Sequence, residues 1–155
     1  MKIKAIILIC IIFTLNSCFS EPENSNIPNS LVNFYIDVSI SGTDNSLADG
    51  SLGNSKIYTK SNPSKLSPNG SYGYSGVAVV RAYDNNIYAF DICCTYEVNK
   101  EIKLVDDGFF LKCPKCNSEF EIGNGTGRPN SGPASKPLKK YYTSQNSTQK
   151  IRIYN

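Results

Sequence analysis

The chain has 155 residues and a formal net charge of +3, from 16 Lys and Arg against 13 Asp and Glu, and it contains no histidine. This length suits one domain with a real core. The absence of histidine excludes Ser/His/Asp and Cys/His catalytic sets. No pair of carboxylates is set apart by its spacing, and no basic cluster marks a nucleic-acid surface. The sequence therefore favours a protein that is neither an enzyme nor a nucleic-acid binder.

The first 17 residues have the features of a signal peptide. Lys2 and Lys4 form a positive start, and residues 5–15 form an apolar run too short to span a bilayer stably. The run ends in Leu15-Asn16-Ser17-Cys18, which resembles a bacterial lipobox. We therefore predict a lipoprotein of the bacterial cell envelope, in the outer membrane, held there by acyl chains on Cys18. Ordinary secretion with a free Cys18 is the alternative.

Residues 18–30 are polar, contain two prolines and lack apolar periodicity. This composition predicts a flexible tether, followed by one domain over residues 31–155. Cleavage before Cys18 removes two of the 16 basic residues and none of the 13 acidic ones, so the mature chain of 138 residues has a net charge of +1.

Period-two alternation runs from Val32 to Ile40 and predicts a strand with one buried face. Residues 41–75 are rich in Ser, Gly, Asn and Pro, which predicts long turns around a weak strand at Ile57 to Thr59. Next, "GVAVVRAY" and "NIYAF" flank Asp84-Asn85, and "EIKLV" and "GFFLK" flank Asp106-Asp107. Both arrangements predict antiparallel hairpins.

The last predicted strands are "SEFEI", "LKKYYT" and "KIRIY". No window of the mature chain shows a helical 3.6-residue period. We therefore predict an all-β fold, a sandwich or small barrel, in which loops carry the remaining features.

Four cysteines remain after removal of Cys10 and lipidation of Cys18, and they form two pairs. Each pair, Cys93-Cys94 and Cys113-x-x-Cys116, follows a predicted strand, and the hairpin between them would bring both loops face to face. A C-x-x-C turn aims two thiolates at one metal ion. Neighbouring side chains of an extended chain point to opposite faces, so only one of Cys93 and Cys94 is expected to face such a site.

Three motifs resemble the Rieske-type [2Fe–2S] domains, which show C-x-H, then about 16 residues, C-x-x-H-G-S-x-F/Y, and later G-P-A-x-x-P-L-x-x-Y. Here the chain has Cys94-Thr95-Tyr96, 16 residues, then "CPKCNSEF" from Cys113 and "GPASKPLKKY" from Gly132. The resemblance covers about residues 76–154 and extends to Rieske-like lipoproteins of Bacteroidetes-type bacteria. It implies a β base with a two-loop cysteine subdomain.

The resemblance also implies residue roles. Cys94 and Cys113 match the two thiolate ligands of the family, whereas Tyr96 and Cys116 stand where the family has its two histidines. A Rieske centre proper is therefore excluded. Cys116 is a plausible thiolate replacement, and Cys93 is the candidate for a fourth sulfur. Around the site, Ser118 matches the serine that bonds a bridging sulfide, and Gly132-Pro133 matches the shielding proline loop.

Three states of the cysteines stay open at this point. A [2Fe–2S] cluster would make the protein a one-electron carrier for an unknown envelope partner. A zinc ion would make the site structural. With no metal, export would favour a disulfide that joins Cys113 or Cys116 to Cys93 or Cys94, and the domain would serve a structural or binding role.

Overall fold

The computed structural model describes residues 24–155. The predicted signal peptide and Cys18 lie outside the described residues. Eleven strands and one short 3-10 helix, Asn45–Leu47, make up the regular structure of the described part. In chain order the strands are β1 (Val32–Asp37), β2 (Ser55–Tyr58), β3 (Ser71–Tyr72), β4 (Val77–Arg81), β5 (Ile87–Asp91), β6 (Val105–Asp107), β7 (Phe110–Lys112), β8 (Glu119–Glu121), β9 (Pro129–Ser131), β10 (Lys140–Gln145) and β11 (Lys150–Tyr154).

These strands form two antiparallel sheets. The larger sheet has seven strands in the order β2-β4-β5-β10-β11-β1-β3, and the smaller has four in the order β6-β7-β8-β9. The predicted all-β class is confirmed, since the described residues contain no α-helix. Within residues 24–155, no helix is long and apolar enough to cross a membrane.

Strand β4 contributes side chains to two hydrophobic cores, one on each of its faces. All five of its residues are buried. Val77 and Val79 face a core inside the larger sheet, while Ala78 and Val80 face a second core. A strand buried on both faces needs apolar residues at every position, which accounts for the unbroken "VAVV" run. The second core also contains Cys94 and Cys113, so the cysteine loops are packed on the larger sheet.

Two predicted boundaries are wrong. The first strand ends at Asp37, and Ile40 is 88% exposed. The Asp37 carboxylate accepts the amide and hydroxyl of Ser39 at 3.1 and 2.6 Å, which turns the chain before Ile40. The second hairpin turns at Gly108-Phe109, with Asp106 and Asp107 inside β6. Gly108 has a φ of +71°, a conformation that favours glycine over aspartate.

Candidate metal centre

Two loops carry the candidate site, one after β5 of the larger sheet and one after β7 of the smaller sheet. The first loop follows β5, with Cys93 joined to Lys103 in an isolated antiparallel bridge. The second loop connects β7 to β8 and is closed by the Cys113 amide, which donates to the Ser118 carbonyl at 2.8 Å. Because both loops lie on the second core, their positions are fixed by the sheets beneath them.

The backbone makes the same turn in both loops. In the first, the Val98 amide donates to the Cys94 carbonyl at 2.9 Å, and in the second, the Asn117 amide donates to the Cys113 carbonyl at 3.0 Å. The residue that ends each turn has a left-handed conformation, with φ of 47° at Val98 and 59° at Asn117. Asparagine adopts such a φ more often than most residues do, whereas for a β-branched residue such as valine it is an outlier. The segments Cys94–Val98 and Cys113–Asn117 are therefore equivalent five-residue turns.

Three sulfurs converge between these turns. The Sγ atoms of Cys94, Cys113 and Cys116 all lie within 4.8 Å of one another, and those of Cys94 and Cys116 are 3.6 Å apart. Cys94 and Cys113 are fully buried, whereas Cys116 is half-buried. Sulfurs bound tetrahedrally at about 2.3 Å from one ion are about 3.8 Å apart. The three thiols therefore have the spacing of ligands to a single metal ion.

Ser118 connects this cysteine group to the segment that follows β9. Its buried hydroxyl lies 3.2 Å from Cys116 Sγ and accepts the amide of Ala134 at 3.1 Å. Gly132 has a φ of +84°, and a Cβ there would lie 2.5 Å from the Ser118 Cα. Only glycine allows this approach. The segment thus rests directly on Ser118, with Ala134 packed against the second core and Pro133 exposed.

Cys93 and Tyr96 lie outside the three-sulfur group. Cys93 is fully buried, but its thiol donates to the Cys94 carbonyl at 3.7 Å and its amide to the Asp91 carboxylate at 2.9 Å. Tyr96 is 57% exposed. Of the eight positions that the resemblance singles out, the structure brings together Cys94, Cys113, Cys116, Ser118 and Gly132, whereas Cys93, Tyr96 and Pro133 lie outside this arrangement.

The surroundings separate the acidities of the thiols. Burial raises the pKa of Cys94 to about 12, although the amides of Glu97 and Tyr96 donate to its sulfur and oppose this shift. Burial also opposes ionisation of Cys116, but the side chain and amide of Ser118 and the neighbouring thiols offset it, so the pKa of Cys116 is lowered. A thiolate is the form that binds a metal ion. Cys116 therefore ionises before Cys94 does.

Sequence reasoning missed Glu97 in the first loop. Its carboxylate forms an ion pair with Lys115 of the second loop at 2.8 Å, and the Glu97 side chain is only 12% exposed. The signal was present in the spacing, because Glu97 follows Cys94 by three residues as Cys116 follows Cys113. The resemblance instead matched Tyr96 to a ligand position of the family.

The predicted tether also contacts the first loop. The Asn26 side chain donates to the Thr95 carbonyl at 2.9 Å, and Ile27 is 4% exposed. Lys139 bonds to the carbonyl of Ile27 at 3.3 Å and to the side chain of Asn29. The described segment around Asn26 therefore lies beside Thr95, the residue that follows Cys94.

The fold and the site define an all-β domain with a three-cysteine candidate metal centre. No protein-family model matches the chain, and no curated protein matches it. A chain from the complex of reduced oxygenase and oxidized ferredoxin in carbazole 1,9a-dioxygenase is similar over 79% of this chain and 93% of its own length, with 18% identity and a TM-score of 0.48. A ferredoxin from Sphingomonas yanoikuyae B1 is similar over 52% and 74%, with 22% identity and a TM-score of 0.38. Both TM-scores are below 0.5, so we base the function on the residues of this chain.

Proposed function

We propose that this chain is a lipid-anchored envelope protein whose Rieske-like domain binds one metal ion between its two cysteine loops. The observation that carries this proposal is the convergence of the Cys94, Cys113 and Cys116 sulfurs within 4.8 Å. Thiolates select soft and borderline metals such as zinc, Cu(I) and iron. A bound zinc ion would cross-link the loops, and a bound iron ion would supply a one-electron couple.

The residues fit one ion better than they fit a [2Fe–2S] cluster. Such a cluster takes four protein ligands, two on each iron. The described cysteine group offers three sulfurs, and Tyr96, at the matched fourth position, is largely exposed. Among the described residues, no further Cys, Asp or Glu side chain lies in this group. The donor set therefore supports a mononuclear thiolate site.

The protein's own residues would perform three tasks at this site. Buried Cys94 and Cys113 hold the ion on the side that excludes water. Half-buried Cys116 faces the accessible side, and its lowered pKa favours the thiolate form. The Cys94 thiol, with a pKa of about 12, must release its proton on binding. Metal binding therefore releases protons and becomes tighter as the pH rises.

A one-electron carrier with a [2Fe–2S] cluster is the second candidate. It is favoured by Ser118, which matches the family serine in sequence and has its hydroxyl 3.2 Å from Cys116 Sγ. This candidate requires a fourth ligand and inorganic sulfide, whereas the single-ion site requires no sulfide. Its electrons would pass to an unidentified envelope protein.

The proposed lipid anchor would keep the site near the membrane. Cys18 precedes Asn26 by eight residues, which span at most about 28 Å when fully extended. Asn26 bonds to Thr95, the neighbour of Cys94. An acylated Cys18 would therefore restrict the metal site to partners at or close to the bilayer surface.

Elemental analysis tests the proposal. The full chain is purified in detergent without air, and its metal and acid-labile sulfide are measured. We expect one metal ion per chain, no sulfide, and loss of the metal in Cys113→Ser. Cys93→Ala serves as the matched control, because Cys93 lies outside the group, and it should keep the metal.

Two other results would decide against the single-ion site. Iron and sulfide in equal amounts would support the cluster, and a metal-free chain with a disulfide between the loops would support the structural role. Labelling with a fatty-acid analogue tests the anchor separately. Cys18→Ala should abolish that label, and continued acylation would contradict the lipoprotein assignment.

A further inference from the structure

We propose that Glu97 supplies the fourth ligand, so that the centre is a tetrahedral site of three thiolates and one carboxylate. This inference rests on the proposed function, because it concerns the same ion. Zinc accepts a carboxylate oxygen at about 2.0–2.2 Å beside thiolate sulfurs at about 2.3 Å. Three sulfurs leave a fourth tetrahedral position open, and the backbone geometry of the first loop points to Glu97 as the residue that fills it.

The two equivalent turns place Glu97 where the second loop has a cysteine. Each turn begins at the residue whose carbonyl accepts the closing hydrogen bond, which is Cys94 in the first turn and Cys113 in the second. Glu97 is then the fourth residue of the first turn, as Cys116 is the fourth residue of the second. Both turns end in a left-handed residue. In the second turn the first and fourth side chains, Cys113 and Cys116, meet in the sulfur group. In the first turn, Cys94 and Glu97 occupy the matching first and fourth positions of the same backbone turn, and from this we infer that Glu97 can reach the same ion.

The surroundings of Glu97 support this assignment. Its side chain is 12% exposed, although the loop is at the surface, and its carboxylate already reaches across to the loop that carries two of the sulfurs. Its partner there is the ammonium of Lys115, whose side chain is 62% exposed. An ion pair with so exposed a lysine contributes little to stability. In the apo form Lys115 thus holds a carboxylate that a divalent cation would attract more strongly.

Binding then requires an exchange of partners. The carboxylate oxygens of Glu97 lie outside the group formed by the three sulfurs, so the side chain must turn from the Lys115 Nζ to the ion. Two other candidates are less suited, because Ser118 Oγ already accepts the Ala134 amide and Tyr96 is 57% exposed. Lys115 would therefore compete with the metal for one carboxylate.

Because Lys115 and the metal ion compete for the Glu97 carboxylate, removing Glu97 should lower zinc affinity, whereas removing Lys115 should not. Zinc affinity is measured for the full chain in detergent, without air, by competition with a chelator. Glu97→Gln should weaken binding by at least about tenfold, the lower end of what the loss of a metal-site partner costs. Lys115→Ala should leave zinc affinity unchanged or increase it, and Glu97→Asp should recover part of the loss. If Glu97 acts only through its ion pair, Glu97→Gln and Lys115→Ala will weaken binding equally, and the inference is overturned.

A second variant tests the position of the side chain directly. Glu97→Cys would place a fourth cysteine at the equivalent turn position, and cobalt(II) reports thiolate number through its charge-transfer absorption. We expect absorption of a four-thiolate site and binding at least as tight as in the unmodified chain. An unchanged three-thiolate spectrum would overturn the assignment of position 97. A wild-type chain that binds no metal would instead overturn the proposed function itself, so the two failures are distinguishable.

Discussion

Gly132→Ala should loosen the segment that rests on Ser118 and so weaken the cysteine group. The new Cβ would lie 2.5 Å from Ser118 Cα and 2.8 Å from its hydroxyl oxygen, and the φ of +84° is unfavourable for alanine. The backbone conformation costs about 1 kcal/mol, and the forced contact costs about 1–3 kcal/mol more. We expect the free energy of unfolding to fall by about 2–4 kcal/mol, with loss of the hydrogen bond between Ala134 and Ser118.

The matched control is Gly50→Ala. Gly50 has nearly the same φ, +82°, but a Cβ there meets no heavy atom of the described residues within 4 Å. It should therefore lose only the backbone contribution of about 1 kcal/mol. Urea unfolding followed by circular dichroism gives both values, and reaction with a thiol reagent reports access to Cys116. Equal destabilisation by the two variants, with unchanged reactivity of Cys116, would refute the close packing of the Gly132 segment on Ser118.

Three further predictions concern the core and the thiols. Phe120→Ala removes a fully buried ring from the second core and should lower the free energy of unfolding by about 3–5 kcal/mol in urea titrations. Burial raises the pKa of Cys93 from 9.0 to about 11. The metal-free domain should therefore lose stability between about pH 9 and pH 11, where this thiol ionises only in the unfolded chain. Cys93→Ala should flatten the dependence of the free energy of unfolding on pH in that range. Ser118→Ala removes a hydrogen bond that lowers the pKa of Cys116; the ultraviolet absorbance of its thiolate should appear at higher pH, and an unchanged titration would contradict that role.

Local sequence patterns predict most of the strands, because apolar alternation and turn residues reflect constraints within a short segment of the chain. The run "VAVVRAY" with "NIYAF" became the β4–β5 hairpin, whose residues pair from Val77 with Asp91 to Arg81 with Ile87. Local patterns do not predict strand β9, because it begins at Pro129 in a Gly-rich stretch of low strand propensity and pairs with β8 through tertiary structure. The sequence favours a turn at Asp106-Asp107 because aspartates are common in turns, but the turn lies at Gly108, since glycine adopts the positive φ more easily.

The candidate site was less accessible to sequence reasoning. The C-x-x-C spacing indicated a turn that aims Cys113 and Cys116 together, and this follows from short-range geometry. The position of Glu97 depends on the left-handed conformation of Val98, which no propensity of valine predicts. Its ion pair with Lys115 joins residues 18 positions apart in sequence, and only the packing of both loops on one core brings them together.

The central claim is that three thiolates of two loops bind one metal ion. X-ray absorption at the edge of the bound metal tests it most directly, on the full chain purified without air. We predict about three sulfur neighbours at about 2.3 Å, a lighter atom in the fourth position, and no second metal nearby. Absence of sulfur neighbours, or a second iron close to the first, would contradict the single-ion site.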